Sequence, residues 1–258
     1  MRLVLLGTGT SFGVPQIGCH CRTCTSTDPR DRRTRSAALI EANGRRLLID
    51  TPPELRLQLV QHGIDDIDAV LFTHAHADHV HGIDDLRAIS MRHDHGIPAY
   101  GPPAALEELA RRFDYIFDAS LQPLPGTSIP RLAACPIAPG APIDIAGVAV
   151  LPVLLPHGDT VVYGYRIGPI AYLTDAKSVG ADVREKLQGL EVLVLNALLS
   201  RPHPLHLSIP EAIATARAIG AQRTIFTHLT HERPHAELVA ALPAGIEPGW
   251  DGMIVEVQ

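Results

Sequence analysis

The sequence predicts an α/β fold. Short apolar runs of strand length recur along the chain, and several of them stop on a His or an Asp. Helix-capable segments lie between them, one opened by the capping-box signature Ser208-Ile209-Pro210-Glu211. An Asn43-Gly44 pair between two apolar runs marks a tight hairpin. A chain of 258 residues suits one large domain or two small ones. Neither linker composition nor a short repeat divides it, so a single domain over residues 1–258 is expected.

The elements follow in order. Residues 2–6 make a first strand, which runs into Gly7-Thr8-Gly9-Thr10-Ser11-Phe12-Gly13. Glycines after a strand can cradle phosphate, but neither the dinucleotide nor the P-loop pattern is complete. A tight turn is expected there, with amides free to line a site. Residues 28–35 form an arginine-rich loop, expected to be a solvated connector rather than a phosphate clamp. Residues 36–42 and 45–50 are the hairpin strands, and 53–62 the first helix. Asp50 closes the second strand, placed either to orient a ligand His or to cap that helix. Residues 69–72 are a short buried strand. Residues 82–91 read as a helix carrying Asp84, Asp85 and Arg87, its positive end near the His-rich stretch. His93 and His95 fall in a surface loop, and 102–112 is another helix. Residues 113–130, rich in aromatics and Pro, are expected to form a lid or insertion near the mouth of a site. Strands follow at 131–136, 142–145 and 148–154, then a hairpin of 161–167 and 170–174, and a strand at 192–195. A capped helix over 208–219, a strand at 223–227, a helix near 235–242 and a strand at 253–257 complete the chain.

The chemistry starts at Phe72-Thr73-His74-Ala75-His76-Ala77-Asp78-His79. His74 and His76 alternate, so an extended chain points both one way; Asp78 and His79 come where the backbone turns and face a second point. One stretch can thus supply two adjacent metal sites. His157, Asp175 and His228 each follow an apolar strand. Together they suggest His74, His76 and His157 on one ion, Asp78, His79 and His228 on a second, and Asp175 bridging. Imidazole and carboxylate donors suit zinc or manganese. Two such ions about 3.5–4 Å apart can share a hydroxide and deliver it in line.

A net charge of −6 argues against an extended nucleic-acid surface. The apolar run at residues 3–6 is too short for a signal-peptide core, and no run approaches a membrane span. A cytoplasmic protein is expected. In a reducing compartment Cys19, Cys21 and Cys24 read as three corners of a structural zinc site rather than as disulfide partners. The fourth ligand must come from elsewhere, since His20 is too near in sequence. Redox pairing of Cys21 with Cys24 lacks thioredoxin-like surroundings.

The ordered set His74-x-His76-x-Asp78-His79, His157, Asp175, His228 resembles the metallo-β-lactamase superfamily of binuclear hydrolases, over residues 2–257. That resemblance implies an αββα four-layer sandwich with two divalent ions at one edge, and gives Asp50 the place of the family's early strand-end Asp. Gly7-Thr8-Gly9-Thr10-Ser11-x-Gly13-Val14-Pro15, followed by the three cysteines, resembles the phosphoribosyl 1,2-cyclic phosphate phosphodiesterases. It implies His231, three residues beyond His228, as the fourth ligand of the structural zinc. It also implies a catalytic His at His206, in Pro204-Leu205-His206-Leu207-Ser208, acting with Asp78; His203 is the fallback. The function so implied is a binuclear metal-dependent phosphodiesterase acting on a small cyclic or nucleotide-like phosphodiester, with a homodimer as in relatives. Two alternatives share these features. The tRNA 3′-processing nucleases would need a basic, Gly-rich arm that the sequence does not supply. The pyrroloquinoline-quinone biosynthesis B proteins share the cysteine region and suggest an accessory role without phosphodiester turnover.

Overall fold

The computed structural model of the chain describes residues 1–93 and 96–257; His95 lies outside the described residues. Leu3 and Leu5 face one apolar cluster and Val4 and Leu6 another, so the first strand is buried on both faces. A strand of that kind needs a layer above and a layer below. The described strands, in chain order, are β1 (Arg2–Gly7), β2 (Ala37–Ala42), β3 (Arg45–Ile49), β4 (Ala69–Leu71), β5 (Ile97–Gly101), β6 (Leu132–Pro136) and β7 (Ile143–Ile145). They continue with β8 (Val148–His157), β9 (Thr160–Ile167), β10 (Ile170–Leu173), β11 (Val192–Asn196), β12 (Arg223–Thr227), β13 (Ile246–Pro248) and β14 (Met253–Glu256). The helices are α1 (Leu55–Gln61), α2 (Ala77–Val80), α3 (Arg87–Ser90), α4 (Pro103–Arg112), α5 (Asp114–Phe117), α6 (Ala181–Lys186), α7 (Ile209–Ile219) and α8 (His235–Ala241).

One sheet runs β14-β1-β2-β3-β4-β5-β6 and the other β13-β12-β11-β10-β9-β8-β7. Each has an antiparallel half and a parallel half, β3 to β6 in the first and β10 to β13 in the second. Leu5, Leu47 and Ile49 meet Val150, Tyr165 and Val194 between the sheets. Leu55 and Leu106 pack on the outer face of the first sheet, and Val183, Ala212 and Leu238 on that of the second. The layers are helix, sheet, sheet, helix, which is the expected αββα sandwich. No helix among the described residues is long and apolar enough to cross a membrane.

The structure corrects several expectations. The helix over 82–91 is a 3-10 turn, Ile83–Leu86, followed by α3. Arg87 bonds Asp84 three residues back, the spacing that a 3-10 turn superimposes. The third strand of the second half extends to His157, which pairs with Thr160. α6 and β13 were not anticipated. Asp50 caps nothing: α1 begins later, after Glu54, which makes no side-chain cap bond.

The loop at 28–35 is a solvated connector only in part: Pro29, Arg30 and Arg32 are exposed, but Asp31 and Arg33 are buried. Arg33 is fully buried, beside Asp31. Its guanidinium donates to the carbonyls of Thr230 and Arg233, while Asp31 accepts from the His235 amide. Arg35 pairs with Glu54 and also donates to the Ser11 carbonyl. Arg33 and Arg35 are spent on internal carbonyls and carboxylates, while Arg30 and Arg32 are exposed. Tyr115 donates to Asp84 and Arg87 donates to the Ser128 carbonyl, anchoring the two ends of 113–130, while residues 118–127 between them are exposed.

Candidate metal centre

The centre lies where parallel strands end, the edge at which open α/β sheets bind ligands. β3 and β4 are parallel, so Asp50 and the 73–79 segment leave the first sheet side by side, with the Asp50 amide donating to the Leu71 carbonyl at 3.1 Å. β8 and β10 are both antiparallel to β9 and therefore end at one edge. His157 closes β8, Asp175 follows β10 and His228 follows β12. Asp50, Asp175 and His228 all have positive φ, at 63°, 56° and 57°. Asp and His tolerate this region better than most residues, at a cost of about 1–3 kcal/mol each. The left-handed turn stops each strand abruptly at the site.

Asp175 is the midpoint. Its Oδ2 lies 3.9 Å from His74 Nε2 and 3.9 Å from His157 Nε2, while its Oδ1 lies 3.3 Å from His79 Nε2 and 3.5 Å from His228 Nε2. Asp78 Oδ2 approaches His79 Nε2 at 3.4 Å and His228 Nε2 at 3.7 Å. The donor atoms of His74, His76 and His157 gather at one point, and those of Asp78, His79 and His228 at another. The rings are aimed by neighbours. His79 Nδ1 donates to Asp50 at 2.8 Å, His74 Nδ1 to the Thr73 hydroxyl at 2.9 Å, and His157 Nδ1 to the Leu205 carbonyl at 3.0 Å. Each bond assigns the proton to Nδ1 and leaves the Nε2 lone pair for the centre. Asp50 also accepts from the amide and hydroxyl of Thr73, so one carboxylate organises both His74 and His79.

These residues fit divalent cations. His74 Nε2, His79 Nε2 and both ring nitrogens of His228 are buried without a hydrogen-bond partner. An orphaned buried polar atom costs about 1–3 kcal/mol, and here several point at one carboxylate. Burial opposes charge on Asp175, yet His228 and His79 outweigh it and hold its carboxyl well below the usual range. Burial likewise opposes charge on His79, but Asp175, Asp78 and Asp50 outweigh it and hold its imidazolium well above the usual range. A proton on His79 thus stands where a cation would neutralise the same carboxylates. Imidazole with carboxylate is a donor set for zinc or manganese.

His206 is buried at the same edge, stacked 4.9 Å from the His228 ring and 4.7 Å from the His157 ring. Burial, and then His228 beside it, push its imidazole down to about 3. Its Nδ1 lies 3.8 Å from Asp175 Oδ2, close enough that His206 with His157 and Asp175 forms a ligand group of its own. His203 is more exposed, its ring 5.1 Å from that of His206. A cavity of about 400 Å³ opens from His206 and His228 towards the 10–13 turn.

The second cluster stands apart. Cys19, Cys21 and Cys24 place their sulfurs 3.2, 3.5 and 3.4 Å from His231 Nδ1. Zinc–sulfur and zinc–nitrogen bonds of tetrahedral geometry imply a sulfur–nitrogen edge of about 3.5 Å, so the four donors fit one zinc ion. Backbone bonding from Cys24 outweighs burial and lowers the Cys21 thiol to about 6, while burial raises that of Cys24 to about 11, so without a cation the thiols of the cluster do not all ionise together. His20 is exposed and outside the group.

Several residues that shape the centre escape sequence reasoning. Thr73 and the Leu205 carbonyl aim His74 and His157. Asn196 bonds both the amide and the carbonyl of Ala176, fixing the turn after Asp175. A polar residue ending the apolar run 192–195 was the available signal for Asn196; a carbonyl carries none.

Comparison with known proteins gives a consistent result. The family model described as the beta-lactamase superfamily domain matches residues 45–229. A protein of Porphyromonas gingivalis (strain ATCC BAA-308 / W83) named octanoyltransferase is 42% identical over 256 residues, covering 98% of this chain and 51% of that protein. The chain therefore spans about half the length of that relative. A crystal structure of a diphosphatase from the PhnP family superposes with a TM-score of 0.91 at 38% identity, covering 100% of this chain and 98% of that one. Zn(2+)-bound PqqB from Methylobacterium extorquens superposes at 0.80 with 20% identity, covering 100% of each chain, a likeness of fold alone.

Proposed function

The chain belongs to the metallo-β-lactamase superfamily, and from that premise we propose that it is a metal-dependent phosphodiesterase acting on a small phosphodiester. The observation that carries this reading is the position of Asp175, one oxygen facing His74 and His157 and the other facing His79 and His228. His74, His76 and His157 would hold one divalent ion and Asp78, His79 and His228 the other, with Asp175 between the two groups; Cys19, Cys21, Cys24 and His231 would hold a structural zinc. When bound, the active-site pair supplies a nucleophile at neutral pH and the Lewis acidity that stabilises charge on the attacked phosphate. Asp50 keeps His79 in the ligating tautomer. His206, on the cavity side, presents one N–H when neutral and directs it at a phosphate or leaving-group oxygen as negative charge grows there.

The octanoyltransferase relative raises acyl chemistry as the competing activity. Acyl transfer through a thioester would call for a reactive thiol. Three of the four cysteines share the zinc-type cluster, and burial pushes the thiol of Cys135, on β6, up rather than down. These features speak against acyl transfer through an enzyme thioester; hydrolysis of an acyl ester by a metal-held hydroxide needs no thiol, and the thioester assay separates it from phosphodiester cleavage.

One sample tests the proposal. Metal stoichiometry is measured beside manganese-supplemented hydrolysis of bis(p-nitrophenyl) phosphate, a cyclic ribose phosphate and octanoyl thioester. About three metals per chain with phosphodiester turnover is the expected result. Metals without any phosphodiester cleavage would overturn it, and thioester cleavage alone would move the chain to acyl chemistry.

A further inference from the structure

Phe12 is a large aromatic ring left 65% exposed on a turn that is otherwise tightly held. The Gly9 amide donates to the Thr34 carbonyl at 2.7 Å, the Gly13 amide to Thr10 at 2.9 Å and the Val14 amide to Arg33 at 2.8 Å. The Phe12 amide bonds the Thr10 hydroxyl at 3.2 Å, and Arg35 Nε donates to the Ser11 carbonyl at 3.1 Å. The turn admits few alternatives. A Cβ on Gly9 would sit 2.5 Å from the Arg33 carbonyl oxygen, and Gly13 needs φ +63°. So exposed a ring adds little to the core, and the rigid turn beneath it fixes where it stands.

Phe12 stands on the wall of the cavity that ends at His206 and His228. Leu198, Arg201 and Glu232 line the same cavity. Glu232 Oε2 accepts from the Ser200 amide at 2.7 Å, while Oε1 lies 3.6 Å from Arg201 Nη1 and makes no hydrogen bond among the described residues. A carboxylate so placed keeps lone pairs for further donors. The space is about 400 Å³, reaches the proposed phosphate position at His206 and His228, and has an aromatic ring and a carboxylate acceptor in its lining. Ligand pockets of this size and mixture take a whole small molecule. A sugar alone can lay only a C–H face on the ring. A nucleobase offers a π face, and base–aromatic stacking tolerates any base.

We infer that this cavity receives the nucleoside of a nucleotide-like phosphodiester, its base stacked on Phe12 and a sugar hydroxyl donating to Glu232, with the phosphate at the His206 end. The inference rests on the phosphodiesterase reading and narrows its substrate class. Phe12 and Glu232 determine specificity and take no part in the chemical step.

The test compares two esters with one leaving group, thymidine 5′-(p-nitrophenyl phosphate) and methyl p-nitrophenyl phosphate, on the full manganese-loaded chain. The wild type should prefer the nucleoside ester in kcat/KM. Phe12→Ala should cut that preference roughly 5- to 100-fold, mainly through KM. Phe12→Trp should retain it, and Phe12→Leu, apolar but without a π face, should fall between. Calorimetric titration with thymidine 5′-monophosphate should show the same order without turnover. A preference near one, or one that survives Phe12→Ala together with unchanged nucleotide binding, overturns the inference and leaves the phosphodiesterase reading standing. No cleavage of either ester by metal-loaded wild type sinks both.

Discussion

The two ligand clusters of this chain differ in origin and in what they leave open. Cys19, Cys21 and Cys24 come from one short turn, and with His231 they bring four donor atoms to one point, a set that suits a tetrahedral ion. The His/Asp centre collects its donors from the ends of strands in both sheets and faces a cavity. A closed set of four can hold an ion but offers it no substrate. An open set on a sheet edge can do both, at the cost of needing the whole fold to assemble it. The clusters nevertheless share a segment. His228 and His231 are three residues apart after β12, and Arg33 grips the carbonyl of Thr230 between them.

The widest separation between them is expected from Asp175→Ala. Both His groups lose the carboxylate they converge on, so the active-site ions should leave and turnover fall to background. The Cys/His ion should stay, taking the metal content from about three per chain to about one. Elemental analysis of the dialysed variant reads this directly. Two ions persisting beside the structural zinc would mean that Asp175 does not join the two groups.

His206→Ala comes next. If His206 donates to the substrate, kcat should drop about 10²- to 10⁴-fold while all metals remain. If metal is lost along with activity, His206 is a ligand, as its place beside His157 and Asp175 allows.

Legibility in the sequence follows the same division. The cysteine spacing and the His74 to His79 run are local patterns, readable before any fold is known. His157, Asp175 and His228 were readable because an apolar strand stops at each. What could not be read depends on partners distant in sequence. Arg33 looks solvated by composition, and only carbonyls about two hundred residues later make it a buried clasp. Asp50 read equally well as a cap, until its carboxylate met Thr73 and His79. α6 and β13 were missed because each is short, and α6 has no side-chain cap to announce it.

Asp50→Ala probes support rather than ligation. His79 would lose the acceptor that fixes its tautomer, and Thr73, which aims His74, would lose two bonds. Metal affinity at the His/Asp centre should weaken about 10- to 100-fold, with the Cys/His site unaffected. Competition against a chelator distinguishes the two affinities. Equal loss at both sites would show that Asp50 supports the fold as a whole.

The smallest expected effect is also the sharpest probe of the link between the clusters. Arg33→Lys keeps the charge beside Asp31, so no buried carboxylate is left alone. A lysine has no planar fork, however, and cannot hold the carbonyls of Thr230 and Arg233 as the guanidinium does. Losing one such bond costs about 0.5–1.5 kcal/mol net, felt in the loop that carries both His228 and His231. A loop loosened between two ligands pre-organises neither. Apparent affinity should therefore fall by a similar factor, roughly three- to tenfold, at the Cys/His site and at the His/Asp centre. A loss confined to the Cys/His site would make the clusters independent despite their shared segment. A lower melting temperature with both affinities intact would reduce the clasp to ordinary support of the fold, because a strut that positions ligands must be felt by the ions they hold.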